Sequence, residues 1–180
     1  MERILFMTVG TGIGKNKEEK IQSLAHGLLT SILHWDPSKI IFFGTSLSRD
    51  TVGELKKQYK NETGEALKTS EFIMIQKFDD FNHKVMKEKL EKLKRVEKNS
   101  KKFDIVIDYT SGTKTMTTAA SILSILYHKT LSLISGQRSK EGLVISGTEQ
   151  IQEQNLYSVY DIILLDKVKE LFNYYQFDQA

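Results

Sequence analysis

Cysteine is absent from the 180 residues, which excludes disulfides, thiolate nucleophiles and cysteine-based zinc sites in one step. Proline occurs once, as Pro37, in a predicted turn where its missing N–H costs nothing. No apolar run approaches the ~18 residues of a membrane span. The N-terminus, Met1-Glu2-Arg3-Ile4-Leu5-Phe6, runs straight into an apolar strand with no secretory signal ahead of it. Internal repeats and low-complexity segments are also lacking. These absences read most simply as a cytoplasmic protein with no membrane segment.

What is present is an ordinary globular composition, 39% hydrophobic and 27% charged, and 180 residues suit a single domain. A chain of this size buries about two thirds of its unfolded surface and needs no staple. The net charge of +3 is unevenly placed. From Lys84 to Lys102 nine Lys/Arg face three Glu, so this stretch carries +6 and the remainder −3. A basic run invites a nucleic-acid reading. No aromatic residue interleaves it between Phe81 and Phe103, so it lacks a stacking platform. A solvated helix with pairs such as Glu88–Lys92 and Glu91–Arg95 is the better expectation, with no direct DNA binding.

Apolar runs of strand length alternate with stretches of helical period. Strands are predicted at Ile4–Val9, Lys39–Phe43, Glu71–Ile75, Phe103–Asp108 and Thr130–Ser135. Helices are predicted near Lys17–His34, Ser46–Tyr59, Asp79–Lys98 and Gly112–His128, with Ser46 and Asp79 as caps. Alternation of this kind makes βαβ units and a mostly parallel sheet. The link Gly136–Gly142 is too short for a helical crossover, so Leu143-Val144-Ile145-Ser146 is expected to add an antiparallel edge strand. The fold class is therefore α/β, a Rossmann-like, mostly parallel sheet of about six strands with helices on both faces. A last helix is expected at about 159–177, with Ile162, Leu165, Val168, Leu171 and Phe172 on one face. It runs to Ala180 with no stop signal, and reads either as a chain that continues or as a natural terminus.

Two loops stand out. Thr8-Val9-Gly10-Thr11-Gly12-Ile13-Gly14-Lys15 follows the first strand, and Asp108-Tyr109-Thr110-Ser111-Gly112-Thr113-Lys114-Thr115-Met116-Thr117 follows the fourth. In a doubly wound sheet of order 3-2-1-4-5 those strands are neighbours and the chain winds away from them in opposite directions, which is where such folds bind ligands. Glycines admit close approach of backbone N–H groups to an anion, and a helix starting near Gly112 adds partial positive charge. Thr110, Ser111, Thr113 and Thr115 offer hydroxyls and Lys114 a compact charge. Named nucleotide motifs fail, however. Thr113 stands where a P-loop needs Gly, and Lys15 where the dinucleotide fingerprint needs its third Gly. No acidic ribose reader follows the second strand, which makes a nicotinamide-dependent oxidoreductase a poor fit.

The remaining candidates are plainer. His26, His34, His83 and His128 are scattered singly, without metal-ligand spacing. Asp79-Asp80 suits helix capping better than a metal pair. Asp108 is placed to orient the loop that follows it. Gln137 and Arg138 either reach the crevice from the side or form a plain polar turn. Helix Gly112–His128 is apolar or small around much of its circumference (Met116, Ala119, Ala120, Ile122, Leu123, Ile125, Leu126). Such a helix needs cover on more than one side, for which a partner subunit is the natural source.

These loops carry a family likeness. Thr8-Val9-Gly10-Thr11-Gly12 and Asp108–Met116, with the later Ser135-Gly136-Gln137-Arg138, Gly142–Gly147 and Leu171–Phe177, resemble the CRISPR-associated Rossmann-fold (CARF) domain over essentially the whole chain. The resemblance implies a homodimeric sensor of cyclic oligoadenylate, with tetra-adenylate favoured over hexa-adenylate. It implies a single sensor domain over residues 1–180 whose last helix leads into an effector domain not contained in them. The implied ligand-binding residues are Gly10, Thr11, Gly12, Thr45, Ser46, Thr110, Ser111, Gly112, Thr113, Lys114 and Arg138, with no metal and no cofactor. Some CARF domains cleave the ring they bind without metal, by attack of a ribose 2′-hydroxyl on the adjacent phosphate. In that alternative, Thr11 and Lys114 are the residues assigned to catalysis.

Overall fold

Residues Ile4–Val9 of the first strand, β1 (Glu2–Val9), are all buried, and their side chains divide by the two-residue period of a strand. Ile4 and Phe6 enter one core, and Leu5, Met7 and Val9 the other. β2 (Lys39–Gly44) repeats the division, with Ile41 and Phe43 on one side and Ile40 and Phe42 on the other. Each such buried Leu, Ile or Phe contributes about 1.5–3 kcal/mol. Strands buried on both faces read as continuous apolar runs, the mark of a parallel sheet covered on both sides.

The computed structural model describes residues 2–12, 16–67, 69–75, 82–97, 103–140, 144–145 and 147–174. With β3 (Ser70–Met74), β4 (Phe103–Asp108), β5 (Thr130–Ser135) and β6 (Gln150–Gln154), the sheet order is β3-β2-β1-β4-β5-β6. Pairings from β3 through β5 are parallel and β6 is antiparallel to β5. Helices α1 (Lys17–Trp35) and α2 (Arg49–Thr63) cover one face. The other is covered by α3 (Asn82–Glu97) and α4 (Lys114–Leu126). A last helix, α5 (Tyr157–Asn173), follows β6. This is the Rossmann-like α/β class expected, with β1 and β4 adjacent as the doubly wound order requires. Among the described residues no helix is long and apolar enough to cross a membrane.

Four expectations change. The antiparallel edge strand is Gln150–Gln154, not Leu143–Ser146. Val144 makes only an isolated bridge to Arg138, while Leu143 and Ser146 lie outside the described residues. An edge strand with one face in solvent needs little apolar content, and Gln-Ile-Gln-Glu-Gln offers a single Ile. Ser46 does not cap α2. Residues Ser46–Ser48 form a 3-10 turn, because the Ser48 hydroxyl is drawn onto the Val9 carbonyl at 2.7 Å, and the α-helix starts at Arg49.

Helix α4 begins at Lys114 rather than near Gly112. Much of its expected second cover comes from α3 of the same chain. Ala119, Ala120 and Leu123 are buried in one cluster with Met86 and Leu90, leaving Ile122 and Leu126 exposed. Helix α5 is helical as its period predicts, but none of its residues is buried. Its start is held by His128, which lies 3.3 Å from the Asp161 carboxylate and packs on Tyr157. The expected cap Asp79, its neighbour Asp80, and residues 175–180 lie outside the described residues. In the basic helix, Lys89 pairs with Glu71 of β3 at 2.6 Å and Glu91 accepts from the Tyr127 hydroxyl.

Candidate functional site

The two loops meet because β1 and β4 are paired in register, with Met7 beside Asp108. Beyond that pair the Gly10 N–H donates to the Ser111 hydroxyl at 2.8 Å, and the Thr8 hydroxyl donates to the Ser111 carbonyl. From the other side, the Thr51 hydroxyl donates to the Gly10 carbonyl at 3.2 Å. The fit is too close for side chains unless the neighbouring loop shifts. A Cβ on Gly10 would stand 3.1 Å from the Gly112 nitrogen. Gly112 itself has φ +120°, and a Cβ there would stand 3.1 Å from that of Thr8. Glycine is required at this crossing by close approach in one loop and by conformation in the other.

Asp108 supports the second loop from below. It is fully buried and accepts from the Thr110 N–H at 2.9 Å, and the Ser31 hydroxyl of α1 donates to its other oxygen. Burial pushes its carboxyl above the ordinary range, while the Ser31 and Thr110 hydrogen bonds pull it back. Asp108 thus does orient the loop, and it also ties that loop to α1. The Thr110 hydroxyl is engaged in turn, accepting from the Ile134 N–H of β5 at 2.8 Å. The hydroxyls of Thr110 and Ser111 are therefore occupied within the chain, and those of Thr113 and Thr115 are engaged at the start of α4. What they present outward is a fixed loop backbone.

Thr113 caps α4, its hydroxyl accepting from the Met116 N–H at 3.3 Å and lying 2.9 Å from that of Thr115. The first turn of α4 adjoins the glycine loops, where the helix dipole favours an anion. Lys114 is the first residue of α4 and is exposed.

A cleft of about 290 Å³ opens at this junction. One part is lined by the loops, through Gly10, Thr11, Gly12, Ser111, Gly112 and Thr113, with Thr110 beneath. Helix α1 supplies Lys20, Ser23, Leu24 and Gly27. Leu133 and Ile134 come from β5, and Arg138 and Val144 from the segment after it. That segment is fastened to α1 by His26, whose Nε2 lies 3.2 Å from the Glu149 carboxylate. Arg138, which as a sequence suited either the crevice or a plain turn, does line the cleft.

The structure thus brings together Gly10, Thr11, Gly12, Thr110, Ser111, Gly112, Thr113 and Arg138. It leaves Thr45, Ser46 and Lys114 outside the lining. Thr45 and Ser46 follow β2, whereas the cleft opens toward β4 and β5 on the opposite side of β1. The Thr45 hydroxyl stands 3.4 Å from that of Ser48. Lys15 lies outside the described residues. Sequence reasoning placed α1 near Lys17–His34 but did not assign it to the site. The available signal was its spacing: positions 20, 23, 24 and 27 follow the i, i+3, i+4, i+7 stripe of one helix face. Among the described residues no group of three His, Asp or Glu side chains could hold a metal ion.

Fold and cleft define a doubly wound, Rossmann-like α/β protein with a cleft at the switch point of its sheet. No protein-family model matches the sequence, and a search of curated proteins returns no match. Solved structures do match. Csm6 from Enterococcus italicus, bound to cyclic hexa-2′-fluoro-hexa-dAMP, superposes with a TM-score of 0.71 at 16% identity, over 99% of this chain and 48% of that one. Can2 from Sulfobacillus thermosulfidooxidans, in complex with cyclic tetra-adenylate, gives a TM-score of 0.53 at 12% identity, over 74% of this chain and 32% of that one. This chain therefore spans about half the length of the first and a third of the second. The likeness shows the fold, the same Rossmann-like arrangement that the resemblance to CARF domains implied.

Proposed function

We propose that the chain is the cyclic oligoadenylate-binding sensor domain of a type III CRISPR ancillary protein, acting in the cytoplasm as a homodimer with the ring held between two copies. The observation that carries this proposal is the crossing of the two glycine loops at the switch point, opening into a cleft that Lys20 and Arg138 also line. A cyclic oligoadenylate presents phosphates around a ring, which suits backbone N–H groups, a helix N-terminus and Lys/Arg side chains. A two-fold axis through the junction would set two copies of each loop about one ring. It would also bring Lys114 of each copy toward the ligand, a role one chain alone does not give it. Support comes from the shared fold, since both solved neighbours carry a cyclic oligonucleotide.

Tetra-adenylate is the expected ring. The cleft of about 290 Å³ stands at the small end of ligand pockets, which run from about 300 to 1,000 Å³. Calorimetry against cyclic tetra-adenylate, cyclic hexa-adenylate and linear tetra-adenylate tests the proposal, with chromatography of the recovered ligand reporting any cleavage. Saturable binding of a cyclic ring at one ring per two chains is expected. Equal binding of the linear control, or none of either ring, overturns it.

A further inference from the structure

Helix α1 gives the cleft two chemically different ends, and we infer, resting on the ligand class proposed above, that it separates phosphate from base: Lys20 takes a phosphate, and the bare position Gly27 opens a slot for a purine ring. Lys20 closes the first turn of α1, and its backbone carbonyl is 2.8 Å from where a Cβ on Gly12 would stand, so this turn packs directly on the phosphate-suited loop. Among the described residues no carboxylate pairs with its ammonium group, and the residue is half-buried in the lining. One and two turns further on, the same face presents Leu24 and Gly27. Leu133, Ile134 and Val144 add apolar surface to the lining, with Arg138 bridged to Val144. Apolar surface of this kind suits the two faces of a flat heterocycle.

Gly27 is the informative residue. It sits in the interior of a helix, where glycine is unfavourable relative to residues with a side chain, yet a Cβ there would meet nothing within 4 Å. No packing contact therefore demands glycine, and the space beside it belongs to the cleft. The register of α1 is fixed on both sides of the slot's floor. Ser31 bonds the β4 residue Asp108, and the Trp35 indole N–H donates to the Ser132 hydroxyl of β5 at 3.0 Å.

The test uses three variants and two small probes besides the rings. Gly27→Leu fills the slot. Lys20→Ala removes the charge. Gly53→Leu is the control, since Gly53 is also in a helix interior with open space at its Cβ but does not line the cleft. Binding of 5′-AMP and of ribose 5-phosphate is followed by NMR titration, and that of the cyclic rings by calorimetry. Gly27→Leu should lose at least about tenfold in affinity for 5′-AMP and for the ring, with ribose 5-phosphate unaffected and the melting temperature held or raised. Lys20→Ala should weaken both small probes by about tenfold. Gly53→Leu should match wild type throughout. If wild type binds a ring and Gly27→Leu binds it equally well, the base slot is wrong and the sensor proposal stands. If wild type binds no ring but binds 5′-AMP in a Gly27-dependent way, the slot stands and the sensor proposal falls. Binding of neither overturns both.

Discussion

The Gly10 N–H donates to the hydroxyl of Ser111 across 2.8 Å, and through that bond the loop after β1 is joined to the loop after β4. Ser111 is 7% exposed, so its oxygen has little water to replace a lost partner. Ser111→Ala should leave the Gly10 N–H without its acceptor, at a cost of about 1–3 kcal/mol. For a chain of this length each kcal/mol lowers the melting temperature by about 2–4 °C. Calorimetric melting should show that drop, and ring affinity should fall with it, because both loops lose their mutual anchor. Ser111→Thr, which keeps the hydroxyl, is the comparison. An unchanged melting temperature for Ser111→Ala would mean that the loops hold their places without this bond.

Asp108 makes a pH-dependent contribution whose sign follows from its environment. Burial raises its carboxyl in the folded protein. A raised acid costs stability once ionised, so the penalty begins at the ordinary carboxylate value and is complete above the raised one. Asp108→Asn preserves an acceptor for the Thr110 N–H and lets the amide donate to Ser31. Urea denaturation from pH 4 to 8 should show the variant gaining on wild type as pH rises through that window, then holding a constant margin. A margin that shrank with rising pH would show that the hydrogen bonds to Ser31 and Thr110 outweigh burial.

The central strands were legible because sheet and helix layers bury both of their faces, leaving continuous apolar runs such as Ile4–Val9 and Ile40–Phe43. The loops at their ends were legible because glycine and hydroxyl residues cluster there. The edge strand was not, since one apolar residue, Ile151, is all that its exposed position demands. Lys20, Ser23 and Gly27 were passed over because each is unremarkable on a helix surface. Only the stripe they share, and the neighbours the fold brings to it, make them a wall of the cleft.

Helix α4 makes a sharper forecast for the dimer than its composition did. Ala120 is fully buried inside its own chain, whereas Ile122 is 47% and Leu126 57% exposed. Ala120→Arg should therefore unfold the protein, because it forces a charge into the core without a partner. Ile122→Arg and Leu126→Arg should leave the circular dichroism spectrum unchanged and, if α4 contributes to the two-fold contact, produce monomers. Light scattering at tens of micromolar distinguishes the outcomes. A dimer unaffected by both surface changes would move the interface away from α4.

Lys114 tests whether the site is completed by a second copy. It occupies the first position of α4, next to Thr113 of the lining, but it does not itself line the cleft of a single chain. With one subunit alone, Lys114→Ala should alter ring affinity little, as expected for an exposed lysine. Across a two-fold axis two such lysines would flank one ring, and each charge-assisted contact to phosphate is worth about 1.5–3 kcal/mol. Lys114→Ala should then weaken ring binding by about 100-fold or more and flatten its dependence on salt. The melting temperature of the free protein should stay near that of wild type, because no hydrogen bond among the described residues uses the side chain. The small probe 5′-AMP separates the two cases further. It should bind Lys114→Ala as it binds wild type, since the slot beside Gly27 lies within one chain. A loss confined to the ring is the signature of a site shared between copies. A Lys114→Ala protein that binds the ring as wild type does would show that α1 and the glycine loops hold it without the start of α4.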